Sequence, residues 1–332
     1  MTNEILIKIR DLSVTYQTRI GPVSAVDHVS FDIYKGEILG LVGESGCGKS
    51  TLGKALLRLI DPPGEISSGK IIFDDEDIME YDEKQLHDFR GRRVSMIFQD
   101  PMTSLNPVQR IDDHLIETIQ VHEKQTKKES ALNRARDMIK RLGIGADRMI
   151  SYPHQLSGGM RQRVMTGIGL ILNADLIVAD EATTSLDVIV EAKLADQLRE
   201  IREEFKISLL MITHNIALIA EMADRIAVMY AGHMVEIGDI FDVFKKPMHP
   251  YTQGLLASIP NIRFNANEEL YKMLGEPPNL TRPPKGCRFH PRCPKVMPIC
   301  SKIEPSFIEV ESNRFIHCWL YQEHPEKMAD KG

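Results

Sequence analysis

The stretch Glu37-Ile-Leu-Gly-Leu-Val-Gly-Glu-Ser-Gly-Cys-Gly-Lys-Ser-Thr51 decides how the chain is read. Glu37 to Val42 is continuously apolar after its first residue, the pattern of a strand buried on both faces of a parallel sheet. It runs into Gly43–Ser50, which fits G-x-x-x-x-G-K-S, and Thr51 to Ile60 follows with helical periodicity. Strand, glycine-rich loop and helix in this order are the context a phosphate-binding loop requires. Glycines let the backbone curl so that successive N–H groups face phosphate oxygens. Lys49 is expected to reach the outer phosphates and Ser50 to ligate Mg²⁺. Gly43, Glu44, Ser45, Gly46, Cys47, Gly48, Lys49, Ser50 and Thr51 therefore form the expected nucleotide-binding set, with Cys47 as filler within the loop.

Outward from this loop, short strands are expected at Leu6–Ile9, Leu12–Thr15 and Ala25–Ile33, and again at Leu176–Ala179, Ser208–Ile212 and Arg225–Tyr230. Val190 to Phe205 reads as a helix, and Asp112 to Ile150 as a charged helical insert. Alternating strands and helices imply an α/β core with a mostly parallel sheet. Beyond about Lys245 prolines accumulate, which predicts a small, turn-rich appendage with few apolar residues and no core of its own. The strand Leu176-Ile-Val-Ala ends in Asp180-Glu181. Ligands bind at the carboxyl ends of strands in such sheets, so Asp180 is placed to hold Mg²⁺ and Glu181 to polarise an attacking water.

Composition narrows the function. The net charge of -6 supplies no field for nucleic acid. No signal-peptide segment opens the chain, and no apolar run approaches the ~20 residues needed to span a bilayer. The expectation is a cytosolic chain that meets a membrane only through partners. Four of the five cysteines, Cys287, Cys293, Cys300 and Cys318, cluster near the C-terminus. In a reducing compartment that favours a metal or cluster site over disulfides. Neither short gap fits the close cysteine pairs of structural zinc sites, whereas four thiolates suffice for a [4Fe–4S] cluster; zinc and free or oxidised thiols remain alternatives.

Leu156-Ser-Gly-Gly-Met-Arg-Gln-Arg163 resembles the signature of ABC-transporter ATPases, with Met160 replacing the usual glutamine. Gln99, Ser185-Leu-Asp187 and His214 follow the order of that family's other motifs. The resemblance implies a P-loop ABC ATPase fold: a RecA-like core with an antiparallel β-subdomain and a helical subdomain at about 101–165. It implies that Ser157, Gly158 and Gly159 cover the γ-phosphate of ATP held by a second subunit paired head to tail. His214 would contact the γ-phosphate, Gln99 would sense Mg²⁺ and water, and Tyr16 would stack on adenine. Ala182 stands where the family most often has proline and Asn215 where aspartate is common; neither supplies a phosphate ligand.

His249-Pro-Tyr-Thr252 and Gly286-Cys-Arg-Phe-His-Pro-Arg-Cys-Pro294 look like the C-terminal extension of oligopeptide and dipeptide importer ATPases. Met160 and Thr183–Val188 look like the D-type subunit. The domains implied are an ABC ATPase at 1–245 and the extension at 246–332. The partners implied are an F-type ATPase subunit or a second copy, two transmembrane permease subunits touched by Asp100–Pro107, and indirectly an extracellular peptide-binding protein. The place implied is the cytoplasmic side of the cell membrane. Some D-type subunits carry a [4Fe–4S] cluster in this extension, and that favours the cluster. Nickel and oligosaccharide importers share the ATPase type. A soluble ABC ATPase of DNA repair or ribosome work would need a coiled-coil insertion or two fused cores, and neither is present. A regulatory iron–sulfur module with a vestigial ATPase conflicts with intact Lys49, Asp180, Glu181 and His214.

Overall fold

The structure is a computed structural model that describes residues 4–98, 104–181, 188–258 and 273–323. The elements run β1 (Ile5–Thr18), β2 (Gly21–Tyr34), β3 (Ile38–Val42), α1 (Lys49–Ala55), β4 (Gly64–Phe73), β5 (Glu76–Asp77), α2 (Glu83–Phe89) and β6 (Val94–Ile97). Next come α3 (Ile111–His122), α4 (Lys128–Arg141), α5 (Gly158–Leu170), β7 (Leu176–Asp180), α6 (Val188–Phe205), β8 (Ser208–Ile212), α7 (Ile216–Met222), β9 (Arg225–Tyr230) and β10 (His233–Asp239). The chain closes with α8 (Ile240–Lys245), α9 (Pro250–Ala257), β11 (Ile308–Glu311) and β12 (Arg314–Ile316). Two differences from the sequence expectation lie near the N-terminus. The expected strands before Ile33 are two long ones joined by a tight turn, and the helix after the loop stops at Ala55.

The residues divide into two compact units. The first comprises Met1–Leu6, Ile33–Ile38 and Phe73–Thr213; the second comprises Ile7–Asp32, Leu39–Ile72 and His214–Gly332. In the first, β6, β7 and β8 pair in parallel, with Met96 opposite Val178 and Val178 opposite Leu210. Every residue of these three strands is buried, which is why their sequence is apolar without alternation. The helical insert expected at Asp112 to Ile150 corresponds in this unit to α3 and α4, and α5 follows it. Ala131, Ala135, Met138 and Ile139 give α4 one buried face, and Arg134 pairs with Glu123 at 2.6 Å.

In the second unit the strand order is β11-β12-β10-β9-β3. β3 and β9 are parallel, and the remaining pairs are antiparallel. The two outer strands come from the proline-rich tail. The tail thus has more structure than the turn-rich appendage its composition suggested. It adds two strands to a sheet, and it has apolar clusters around Met248, Ile316 and Cys318 and around Ile299, Cys300 and Trp319. The tail is joined to the rest of the unit by backbone pairing of β12 with β10, which lies outside the tail.

Polar anchors finish the join. Glu236 on β10 is fully buried, and its carboxylate accepts from the N–H groups of Met248 (3.0 Å) and His249 (2.9 Å) and from Arg314 on β12 (2.9 Å). A buried charge persists only when paired and hydrogen-bonded, and Glu236 is both. His249 caps α9: its Nδ1 accepts from the Tyr251 N–H at 3.0 Å, with Pro250 at the first helical position.

Burial holds His249 at a pKa of about 3, far below the ordinary 6.5, and holds His317 equally low. A base depressed on folding contributes stability that is complete above pH 6.5 and lost as pH falls toward 3. At pH 5 each such group costs about 2 kcal/mol. His249→Asn keeps a capping acceptor that does not titrate. Melting curves at pH 7.5 and 5 are expected to show a smaller acid loss for this variant than for the parent chain.

Candidate nucleotide site

The loop after β3 is held by two close approaches. A Cβ on Gly43 (φ +155°) would lie 2.2 Å from the Met229 carbonyl oxygen, and one on Gly48 (φ +106°) would lie 2.0 Å from that of Ala25. No side chain fits at either place, so glycine there is a steric requirement. Cys47 is buried with its thiol 3.8 Å from Lys49 Nζ, and its carbonyl accepts from the Gly232 N–H at 2.9 Å. Burial raises its pKa, so it is a packed, protonated thiol within the loop. Lys49, itself buried, bends back over the loop. Its ammonium donates to the carbonyls of Gly43 (2.8 Å) and Glu44 (3.1 Å), which puts a positive charge inside the ring of loop backbone. Ser45 and Gly46 are exposed at the tip, while Ser50 and Thr51 are half-buried in the first turn of α1. Tyr16 lies on β1, half-buried against Gly64, where a Cβ would stand 2.5 Å from its ring.

The tail reaches this loop directly. Arg292 makes a bidentate pair with the Glu44 carboxylate, at 2.8 and 3.0 Å, and its Nη1 also bonds the Tyr230 hydroxyl at 3.3 Å. The Tyr251 hydroxyl accepts from the Glu44 N–H at 2.9 Å. Tyr230, Tyr251 and Phe289 form one aromatic cluster, with ring centroids 4.6, 5.1 and 5.5 Å apart. Burial pushes Tyr251 well above its ordinary pKa, so its hydroxyl keeps its proton. Glu44, expected only as a nucleotide contact, is thus the point where the extension grips the loop. The tethering residues Arg292, Tyr230 and Tyr251 are absent from the sequence-based site. Arg292 and Tyr251 lie inside motifs quoted for other reasons, and nothing local ties them to a residue 248 and 207 positions away.

The other unit holds the acidic pair and the signature. Asp180 is the buried last residue of β7. Glu181 follows in the left-handed region (φ +46°) and donates its N–H to Ile212 at 2.8 Å. A non-glycine residue at positive φ is uncommon, and such strain concentrates at functional sites. Ser157 caps α5: its Oγ accepts from the Met160 N–H at 3.3 Å. The donor is backbone, so the exchange of glutamine for methionine leaves this cap intact. Gly158 is exposed, with nothing within 4 Å of where a Cβ would sit, so its backbone is open to approach. His214 is exposed after β8, and Asn215 caps α7 through its amide oxygen at 3.2 Å from the Leu218 N. An aspartate's acceptor role is therefore preserved there. Gln99, Ala182 and Ser185-Leu-Asp187 lie outside the described residues.

The four cysteines of the tail are drawn together from separate turns. The Cys287 N–H donates to the Cys300 carbonyl at 2.8 Å, and Cys287 packs on the cluster of Ile299, Cys300 and Trp319. Burial raises Cys287 to about 12 and Cys318 to about 11, and in each the neighbouring cysteines push the same way. Burial also raises Cys293, with Cys300 adding to it. No three of these sulfurs lie within 4.8 Å of one another, because the one group of metal-ligand atoms that close among the described residues excludes them.

The family described as "ABC transporter" matches residues 26–184, and "Oligopeptide/dipeptide transporter, C-terminal region" matches residues 235–300. The chain is 41% identical over 332 residues to the dipeptide transport ATP-binding protein DppD of Bacillus subtilis, covering 99% of this chain and 98% of that one. It is 43% identical over 304 residues to the oligopeptide transport ATP-binding protein OppD of Escherichia coli, covering 91% and 89%. Among solved structures, the dimeric bacterial ABC transporter cassette MJ0796 superposes with a TM-score of 0.64 at 25% identity, over 71% of this chain and 99% of that one.

Arg292→Ala strands the Glu44 carboxylate, a loss on the order of 2 kcal/mol for a partly buried charge. The expected outcome is weaker nucleotide binding by equilibrium titration. Glu44→Gln in the same chain should restore part of it, because the unpaired charge is then gone.

Proposed function

Since the chain belongs to the ABC transporter family, as an ATP-binding subunit of the oligopeptide/dipeptide type, we propose that it hydrolyses ATP to power import of di- or oligopeptides through a membrane transporter. The carrying observation is likeness over essentially the whole chain, extension included, to dipeptide and oligopeptide transport ATP-binding proteins.

Gly43 to Thr51 bind the phosphates of ATP, with Lys49 turning from its own loop carbonyls to the outer phosphates, and Tyr16 stacks on adenine. Mg²⁺ neutralises phosphate charge when bound; Ser50, Asp180 and Gln99 are the residues that would hold it. Buried Asp180, ending a strand, suits that task. Glu181 polarises the attacking water and His214 steadies the γ-phosphate. Catalysis is in-line attack, driven by positioning and charge neutralisation. Ser157, Gly158 and Gly159 close over the ATP of a second cassette, an F-type subunit or a further copy. MJ0796, of the same fold, is described as a dimer.

The domains proposed are the cassette at 1–245, with its helical subdomain at about 101–165, and the extension at 246–332. Among the described residues no helix is long and apolar enough to cross a membrane. Its likeness to peptide-transport ATP-binding proteins supports a place at the cytoplasmic face of the cell membrane, held there by two permease subunits. Val108, 80% exposed beside the segment Asp100–Pro107, offers an apolar contact to them, while an extracellular binding protein acts through the permeases. No nucleic acid is involved. Cys287, Cys293, Cys300 and Cys318 would hold a [4Fe–4S] cluster, which cross-links separate turns of the tail.

Glu181→Gln should lower ATP turnover by about 10²-fold or more while ATP still binds and still drives pairing of cassettes. Turnover that survives the change would overturn the assigned base. Protein purified without oxygen should be brown with broad visible absorbance, whereas a colourless preparation with one zinc held by the cysteines would reject the cluster.

A further inference from the structure

Three metal-competent groups converge where the extension meets β10, at a place that neither the nucleotide loop nor the cysteines use. His233 opens β10, Glu304 lies between the turn bearing Cys300 and β11, and His317 directly follows β12. One carboxylate oxygen, Glu304 Oε1, lies 3.3 Å from His233 Nδ1 and 3.5 Å from His317 Nε2. The three ligand atoms all fall within 4.8 Å of one another. Both imidazoles are buried, their ring centroids 5.1 Å apart at 68°, and the carboxylate stands half-exposed at the mouth of a cavity of about 200 Å³.

The spacing is informative. N–H···O hydrogen bonds cluster at about 2.9–3.0 Å, shorter than either separation. A tetrahedral ion with bonds of ~2.0–2.1 Å to nitrogen and oxygen places its ligands about 3.3–3.4 Å apart, close to both. The outer surroundings have the form that ligating histidines need. His233 Nε2 faces Asp27 Oδ2 at 3.4 Å, which leaves Nδ1 as the nitrogen turned toward Glu304. Asp27 is in turn held by the Arg288 guanidinium. A carboxylate behind the imidazole, as Asp27 is behind His233, is the arrangement that fixes ring orientation in metal sites.

We propose that His233, Glu304 and His317 bind a single divalent ion of the zinc type, with its fourth position turned to the cavity. Two imidazoles and one carboxylate suit Zn²⁺, and Ni²⁺ or Cu²⁺ by the general affinity order. The ion joins the first residue of β10 to two segments of the tail. It thereby fixes the backbone just before Cys318 and just beyond Cys300, whatever those cysteines hold.

The test uses the full chain with its cysteine site as purified. Calorimetric titration with ZnCl₂ and elemental analysis should give one equivalent that Glu304→Gln, His233→Asn and His317→Asn each weaken by about tenfold or more, the scale of losing a ligand interaction. Co²⁺ difference spectra should show weak visible bands that vanish in Glu304→Gln, without the intense near-ultraviolet band of thiolate ligation. Glu304 is half-exposed, so that variant should melt like the parent in the absence of metal, whereas added zinc should raise the melting temperature of the parent alone. Zinc binding that survives all three substitutions, a cobalt spectrum carried by thiolate bands, or binding only at millimolar metal would each overturn the site.

Discussion

Two carbonyl oxygens set the geometry on which the nucleotide site depends. The Met229 and Ala25 backbones approach Gly43 and Gly48 so closely that a single Cβ at either glycine would collide with them. The loop is therefore not a flexible glycine-rich connection. It is a curl wedged against two neighbouring strands, with Lys49 drawn across it and Cys47 packed beneath it. A preorganised loop spends little free energy on ordering when it meets phosphate, and the gain appears as affinity.

The extension acts on the same loop from outside. Glu44 carries a bidentate guanidinium on its side chain and a tyrosine hydroxyl on its backbone N–H, both from residues after position 245. The aromatic cluster of Tyr230, Tyr251 and Phe289 supplies the apolar backing, and buried Glu236 gathers the start of α9 and Arg314 onto β10. A tail braced in this way is integral to the half of the molecule that holds the P-loop. Its cysteine array lies in the same sequence segment as Arg292, so the order of the tail and the position of Glu44 are physically linked.

The acidic pair shows a different solution. Asp180 sits at the end of a fully buried strand, and Glu181 leaves it through an unfavourable backbone angle held by one ladder hydrogen bond to Ile212. Stable parallel pairing on both sides of the strand offsets the local strain, and the carboxylate emerges at a fixed place.

The sequence by itself determined the elements whose cause is local. Continuous apolar runs gave β3, β7, β8 and β9, because a strand buried on both faces can expose no polar residue. The G-x-x-x-x-G-K-S spacing gave the loop. The first strand reads as two short ones because Asp11, polar and with positive φ, interrupts its pattern without ending it. Only the tertiary structure decided the rest: the two tail strands added to β10, the grip of Arg292 and Tyr251 on Glu44, and the convergence of His233, Glu304 and His317. Each brings a residue of the tail to one 70 to about 250 positions before it. Local periodicity records which face of an element is buried, but not which distant residue will cover it.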